Sequence, residues 1–447
     1  MKTLRIANAQ GFWGDDPEAA KNLMLQDKGI DFINLDYLAE LSLSIMAIQK
    51  KEGKGPGYAA DFLEVLVSLA PFWNEGRKFK VITNAGGLNP LGCLEACIEK
   101  LKPMLKLPLK IACLTGDDVF NEISQAPKDS FKNLDSGKSI GEVQGKLLFA
   151  NAYIGAFEMA EAIKKADIII AGRATDPSLT LAPCIAYFNW NKEDYQKLAG
   201  GTLAGHVIEC GTQATGGFST NWLNVPNLEK MGFPIAEIQE NGDFIITKAK
   251  STGGAVTVEI IKEQLLYEID NPYAYQSPDV IVSFKNLRVK EVGLNKVAVY
   301  DALGIAPGDK YKVNAGYFDG YRIEASLTIN GKDAYIKAKK VGEIILSHLK
   351  HKKIELKDSF VEYIGADPFF CKNPKNLGQV TLRIAIKTET EKEAKRFSKE
   401  IAPLITSGPQ GIIGYASGRA KPRPIYAFWP TLIEKNKVQL KTHIREV

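Results

Sequence analysis

Apolar runs of strand length recur through the first half of the chain: LRIANA (4–9), DFINLD (31–36), KVITNA (80–85), KIACLT (110–115), KLLFAN (146–151) and DIIIAG (167–172). Their hydrophobicity is near-continuous rather than alternating, the pattern of strands buried on both faces. Between them PEAAKNLMLQ, AADFLEVLVSLAPFW, PLGCLEACIEKLKPML and FEMAEAIKKA carry apolar residues at helical spacing. Strands alternating with helices predict a parallel sheet covered by helices on both faces. The expected fold class is therefore α/β, with a Rossmann-like, doubly wound, mostly parallel domain over residues 1–233.

From about Pro234 the pattern changes to turn-separated, alternating segments: DFIITKA, AVTVEII, DVIVSF, KVAVYDA, and the pair GYRIEASLTIN and KDAYIKAKK around Asn330-Gly331. Asn-Gly between two such runs predicts a hairpin. A β-rich region over 234–342 follows from this reading. After the helical VGEIILSHLK, the segments VEYIG, VTLRIAIKT, EKEAKRFSKEIAPLI, IYAFWP and VQLKTHI predict a small C-terminal α+β layer. Residues 234–447 are expected to form this second region.

Composition narrows the function classes. The 447 residues carry 57 basic and 52 acidic side chains spread along the whole length, for a net charge of +5, with no basic arm or stripe. Nucleic acid is thus not an expected partner. No run approaches the roughly 18 apolar residues of a membrane span, and the first residues lack a leader's apolar stretch. A cytoplasmic protein that does not enter a membrane is expected. The six cysteines, Cys93, Cys97, Cys113, Cys184, Cys210 and Cys371, read as free thiols of a reducing compartment. Cys93 and Cys97 lack the further ligands of a zinc site, so no metal is assigned. A homo-oligomer of dimeric form is expected, since soluble oligomers are most often symmetric dimers.

In open parallel sheets ligands bind beyond the carboxyl ends of the strands, and here the loops at those ends are polar and glycine-rich. Gly11, Gly14 and Asp15 follow the first strand, with Asp16-Pro17 as an expected helix start. Asn84, Gly86, Gly87 and Asn89 follow the third. Arg173, Thr175 and Asp176 follow the sixth. Small residues let backbone N–H groups approach an anion at a helix N-terminus. With Gly216 and Gly217, these residues are the expected ligand- or anion-binding set. The competing reading makes them ordinary caps and turns. No dinucleotide or Walker fingerprint is present, and no cofactor is assigned.

The most reactive constellation lies in GGTLAGHVIECGTQATGG (200–217). If 202–210 is helical, His206, Glu209 and Cys210 share a face. The imidazole can then activate the thiol and the carboxylate can orient the imidazole. A core histidine beside a buried cysteine is the alternative. The glycines bracketing this helix suggest close approach by a ligand, and His206 is expected to matter more for function than for folding. Asp36 and Glu40, and also Asp117 and Asp118, follow other strands and supply candidate general bases. His206, Glu209, Cys210 and Asp36 form the expected catalytic set.

The ordered words GFWGDDPEAA, LDYLAELSLSI, TNAGGLNP, ANAYIGAFEMAEA, DIIIAGRATDPSLTLAP, AGHVIECGTQATGG, FPIAEI, STGGAVT, EQLLYEI, SGPQGI and RPIYAFWP resemble the acyclic terpene utilisation (AtuA) family over nearly the whole chain. The resemblance implies bacterial catabolism of acyclic terpenes through acyl-CoA thioesters and a biotin-dependent acyl-CoA carboxylase. It supplies no assigned reaction. Longer members add a C-terminal ferredoxin-like domain that this sequence is expected to lack. The function expected is an enzyme of acyl-CoA catabolism with hydratase, lyase or hydrolase chemistry, its substrate a coenzyme A thioester or other small anion. The alternative is a non-catalytic, ligand-binding subunit that supports an acyl-CoA carboxylase.

Overall fold

The computed structural model describes residues 2–366, 373–414 and 418–447. Cys371 lies outside them. The chain forms two compact units, residues 1–316 with 428–447, and residues 317–427. The first unit therefore extends well past the boundary expected at 233. Residues 234–248 and 288–300 are strands of its large sheet, so they complete the first core rather than founding a second.

That sheet has ten strands, numbered in chain order: β1 Thr3–Asn8, β2 Phe32–Leu35, β3 Lys80–Thr83, β4 Lys110–Thr115, β5 Ile168–Ile170, β6 Pro234–Gln239, β7 Phe244–Lys248, β8 Arg288–Gly293, β9 Lys296–Tyr300 and β10 Lys441–Glu446. Their spatial order is β8-β9-β7-β6-β1-β2-β3-β5-β4-β10. The central strands β1, β2, β3, β5 and β4 are mutually parallel. The remaining strands extend the sheet antiparallel on both sides.

The sheet is thus mixed, and its order departs from the Rossmann arrangement, in which the sheet continues in parallel on the far side of the first strand. Here that position is taken by β6, paired antiparallel to β1 from Thr3↔Gln239 to Ala7↔Ile235. The few residues between β6 and β7 suffice for a hairpin but not for a parallel crossover. The segment 146–151 also leaves the expected set. Its strand Leu147–Ala152 pairs instead with the strand that begins at Lys310.

Side chains alternate across the parallel strands into two cores. Leu4, Ile6, Phe32, Ile82, Ala112, Leu114 and Ile169 enter one, with helices Phe157–Ile163, Ser178–Phe188, Tyr195–Glu209 and Val258–Leu266. Ala7, Ile33, Leu35, Val81, Ile111, Cys113, Ile168 and Ile170 enter the other, with helices Ala19–Gln26, Asp61–Asn74 and Pro90–Leu101. Burial on both faces explains the near-continuous hydrophobicity of these strands. Cys93 and Cys97 belong to the second core.

Two segments expected as strands are helical. AVTVEII begins the helix Val258–Leu266, where the Thr257 side chain caps Ile260 N at 3.3 Å. KDAYIKAKK begins the helix Ala334–His351. Gly331 and Asp333 both adopt positive φ and end the preceding strand. Ala334, Ala338, Val341, Ile345 and Leu349 are then buried at helical spacing.

The second unit runs strand Lys310–Asn330 (entering at Tyr317), helix Ala334–His351, strands Asp358–Ile364 and Gln379–Thr388, helix Glu391–Ile401 and strand Ile412–Gly414. In order of appearance the four strands lie 2-3-1-4, all antiparallel. This βαββαβ connectivity is ferredoxin-like.

A polar cavity at the carboxyl ends of the parallel strands

A cavity of about 560 Å³ opens in the first unit where the chain leaves β1, β2 and β5. Gly11 and Phe12 follow β1, Asp36 to Glu40 follow β2, and Arg173 to Pro177 follow β5. The end of the helix Tyr195–Glu209 adds His206, Glu209 and Cys210, with Gln213 just beyond. Tyr153, Tyr267, Glu268, Tyr275 and Lys312 complete the polar wall. A larger cavity of about 720 Å³ lies at the opposite strand ends, beside Asp31, Phe32, Phe79 and Lys80. Lys80 Nζ is spent there on the carbonyls of Ile163 and Ala166, at 2.6 and 2.7 Å.

The helix bearing His206 is fixed by close packing inside the protein. A Cβ on Gly200 would lie 2.0 Å from Gly242 O, one on Gly201 2.8 Å from Leu181 Cδ1, and one on Gly205 2.6 Å from Pro177 O. The glycines expected to admit a ligand thus admit neighbouring chain. Asn8, at the end of β1, donates through Nδ2 to the carbonyls of Ile208 (2.5 Å) and Glu209 (2.7 Å) and satisfies the helix's C-terminal acceptors. Gly211, at φ +59°, ends the helix as its sequence suggested.

His206 is 2% exposed and both its nitrogens are engaged. Nδ1 lies 3.0 Å from Glu209 Oε1, and Nε2 lies 3.3 Å from Leu265 O. Burial lowers the imidazole's pKa. Burial, then Asp176 and Glu268, push the Glu209 carboxyl well above the usual range. Both shifts favour neutral forms. The arrangement is satisfied when Nε2–H donates to Leu265 O and protonated Glu209 donates through Oε1 to Nδ1. Glu209 Oε2 has no protein partner.

At Cys210 burial first, then Glu209, Glu268 and Asp36, raise the thiol's pKa, which favours its protonated form. Asp36 is buried and likewise pushed well up, by burial and then by Asp176. Glu40 differs. Burial pushes it up, but Arg173, a short hydrogen bond from Tyr153 Oη and Lys312 hold it below its ordinary value.

Arg173 is the buried cation of the site, 2% exposed. Its guanidinium donates to Leu38 O (2.6 Å) and Asp176 Oδ1 (2.7 Å) and lies 4.2 Å from the centre of the Tyr153 ring. Its backbone N–H donates to Asp117 Oδ2 at 2.7 Å, which also accepts from Asn151 Nδ2 at 2.9 Å. Asp117 therefore stands behind the cavity wall. Asp118 Oδ1, just before the next helix, accepts from Phe120 N at 2.9 Å.

The anion-cradling loops are placed differently from their expected role. Gly11 N donates to Asp15 Oδ2 at 3.0 Å, so that N–H is spent within its own loop. Gly14 and Asp15 do not line the cavity, whereas Thr175 and Asp176 do. The N–H groups of Ala85, Gly86, Gly87, Leu88 and Asn89 all reach protein acceptors. Asn84 sits behind Asp36, donating to its Oδ1 at 2.7 Å and accepting from Tyr37 N at 2.7 Å. Asn89 caps its helix through Gly92 N, while Asp176 pairs with Arg173 instead of capping. Gly216 and Gly217 close a turn on Gln213 and Thr212 outside the cavity.

Sequence reasoning missed Tyr153, Tyr275 and Lys312. Tyr153 directly follows an apolar strand, a usable signal. Tyr275 and Lys312 fell in the region assigned to a second domain, where nothing local marks them. Among the described residues no group of three or more His, Cys, Asp or Glu is placed to hold a metal ion. No helix among them is long and apolar enough to cross a membrane.

Fold and cavity together define a mixed-sheet α/β protein with a small-molecule-sized pocket of proton-exchanging groups at its strand ends. The chain belongs to the acyclic terpene utilisation family AtuA, whose model matches residues 4–444, and its role lies in acyclic terpene utilisation. No curated protein matches it. The crystal structure of S. aureus homoserine dehydrogenase at pH 6.5 aligns over 90% of this chain and 83% of its own, with 8% identity and a TM-score of 0.13, too low to indicate a shared fold.

Proposed function

We propose that the cavity is the active site of an enzyme that acts by proton transfer on an acyl-CoA thioester of the acyclic terpene or branched type, as a hydratase or a lyase. The observation that carries this reading is the His206–Glu209 couple. It is a buried acid–base pair in which burial favours both neutral forms and whose second carboxyl oxygen has no protein partner. Glu209 is the general acid–base, and His206 receives or returns the proton behind it. Arg173 and Lys312 supply positive charge for an acyl carbonyl oxygen as negative charge develops on it. Asp36, held by Asn84, is a second proton-carrying group on the same wall.

The raised Cys210 pKa speaks against thiolate attack, so the hydrolase option has no nucleophile there. Five carboxyl groups, Asp36, Glu40, Asp176, Glu209 and Glu268, line the cavity against the cations Arg173 and Lys312. That wall suits the acyl end of a thioester, with the coenzyme phosphates remaining outside. The test is to incubate the purified protein with branched and terpenoid acyl-CoA thioesters in D₂O and follow deuterium uptake and product mass. Turnover should be lost in E209Q. Turnover in E209Q equal to that of the unaltered protein sinks the proposal.

A further inference from the structure

The cavity at the opposite strand ends is built differently. It encloses about 720 Å³ where the chain enters β2, β3 and β5, beside Phe32, Lys80 and Asp167. Phe32, Trp73, Phe79, Leu107, Leu109 and Ile163 give it a largely apolar wall. Trp73 and Phe79 stack with ring centres 4.8 Å apart, and the indole's one polar group, Nε1–H, donates to Phe79 O at 3.3 Å. The Lys80 ammonium is spent on two carbonyls, and Arg77 donates to the carbonyls of Met24 and Asp27. Asp31 Oδ2 accepts from Arg5 N and Asp167 Oδ2 from Lys110 N, both at 2.9 Å. Among the described residues that line this cavity, none carries a buried polar side-chain atom without a partner. The wall therefore offers a ligand apolar contact and demands no hydrogen bond from it.

The charge around this wall is one-sided. Four cations, Arg77, Lys78, Lys80 and Lys164, line the cavity against two carboxyl groups, Asp31 and Asp167. Lys78 is exposed and has no ion-pair partner among the described residues. Lys164 pairs with Glu161 at 2.6 Å, but both side chains are exposed, and such a pair contributes little. We propose that this cavity is a second ligand site, for an amphiphilic anion: a hydrocarbon chain that lies on the apolar wall and carries one carboxylate, met by Lys78 and Lys164. A polyol would leave its hydroxyls unpaired on this wall, and a neutral hydrocarbon would leave Lys78 unmet. The site goes beyond the acyl-CoA reading and does not depend on it. β2 and β3 have four residues each, so at roughly 3.3 Å per residue about 10 Å of strand separates the two cavities, and both can be filled at once.

The probe is octanoate, titrated calorimetrically into the full chain, with butanoate and 1-octanol as comparisons. Octanoate should bind saturably at one site. Butanoate should bind about tenfold or more weakly, since each buried methylene contributes a factor of roughly four. K78E alters an exposed side chain and should fold; it should lower the affinity for octanoate about threefold or more while leaving that for 1-octanol unchanged. L107D, at a position 58% exposed, should weaken binding of both. E209Q should bind octanoate as the unaltered protein does, which separates this site from the proposed active site, and a protein that turns over no thioester could still show every one of these results. No saturable binding at millimolar concentration, equal affinities for octanoate and butanoate, or an octanoate affinity unmoved by K78E or by L107D overturns the proposal. Octanoate binding lost in E209Q would place the acid in the other cavity, and binding to phosphatidylglycerol vesicles without binding of free octanoate would make this a membrane-docking face; either result overturns it as well.

Discussion

His206 Nδ1 faces Glu209 Oε1 at 3.0 Å, one helical turn apart, while the far side of the imidazole is held by Leu265 O. The glutamate is thus the outer member of the pair and the histidine the inner one. This inverts the arrangement expected from spacing alone, in which the carboxylate would orient a ligand-facing imidazole.

Replacing Glu209 by Gln preserves the shape and the donor of its protonated form. E209Q should unfold within about 1 kcal/mol of the unaltered protein, since no hydrogen bond is lost. Turnover should fall roughly 10²-fold or more. Urea unfolding and a turnover assay check both. A large stability loss would mean that Glu209 is ionised in the folded protein.

His206 now carries a structural load as well. H206A strips a partner from both Leu265 O and Glu209 and should cost about 1–3 kcal/mol. A Tm equal to that of the unaltered protein would contradict the buried, doubly bonded ring and restore the expectation that His206 serves function alone.

Cys210 should prove dispensable for chemistry. C210A should retain most of the turnover, and iodoacetamide should label the native thiol near pH 8 more slowly than a peptide thiol, whose pKa is about 8.5. Rapid, stoichiometric labelling of Cys210 would show an activated thiolate.

Asp117 gives a pH signature. Burial, the largest influence, pushes its carboxyl from 3.8 to about 6 against the hydrogen bonds from Arg173 N and Asn151. A folded-state pKa raised above the unfolded one contributes stability that is fully present below 3.8 and lost as pH rises through about 6. The stability of the unaltered protein relative to D117N should therefore fall between about pH 4 and pH 7. Denaturant titrations at those two values test it. A difference that grows with pH means that the folded pKa is depressed instead.

The parallel core was readable because strands buried on both faces leave an unbroken apolar signature, as in Ile168–Ile170 and Lys110–Thr115. The antiparallel extensions were legible as strands but not as members of the same sheet, since nothing in Pro234–Gln239 announces that it pairs with Thr3–Ala7. Ala334–His351 was misread in its first turns because Asn330-Gly331 imitates a hairpin. At the cavity, the juxtaposition of His206 and Glu209 followed from helical spacing. The unspent donors expected in the glycine loops did not follow, because whether an N–H is free depends on distant partners such as Ala171 O for Gly86. Tyr275 and Lys312 reach the wall through tertiary folding alone.

The strand Lys441–Glu446 pairs with Lys110–Thr115, so the large sheet closes only when some of the last residues described have left the ribosome. The four antiparallel strands of the ferredoxin-like unit, by contrast, pair with one another through residues 321–330, 358–364, 379–388 and 412–414. Vectorial synthesis thus lets the inserted unit finish first, although the larger one begins first. Once folded, it replaces a long floppy loop with a compact bridge, which lowers the entropy cost of bringing the final strand back to the sheet. Early folding of the insert should therefore speed closure of the large sheet, and point mutations in its own core should slow maturation of the cavity. Pulse-labelled limited proteolysis of nascent chains would reveal that delay.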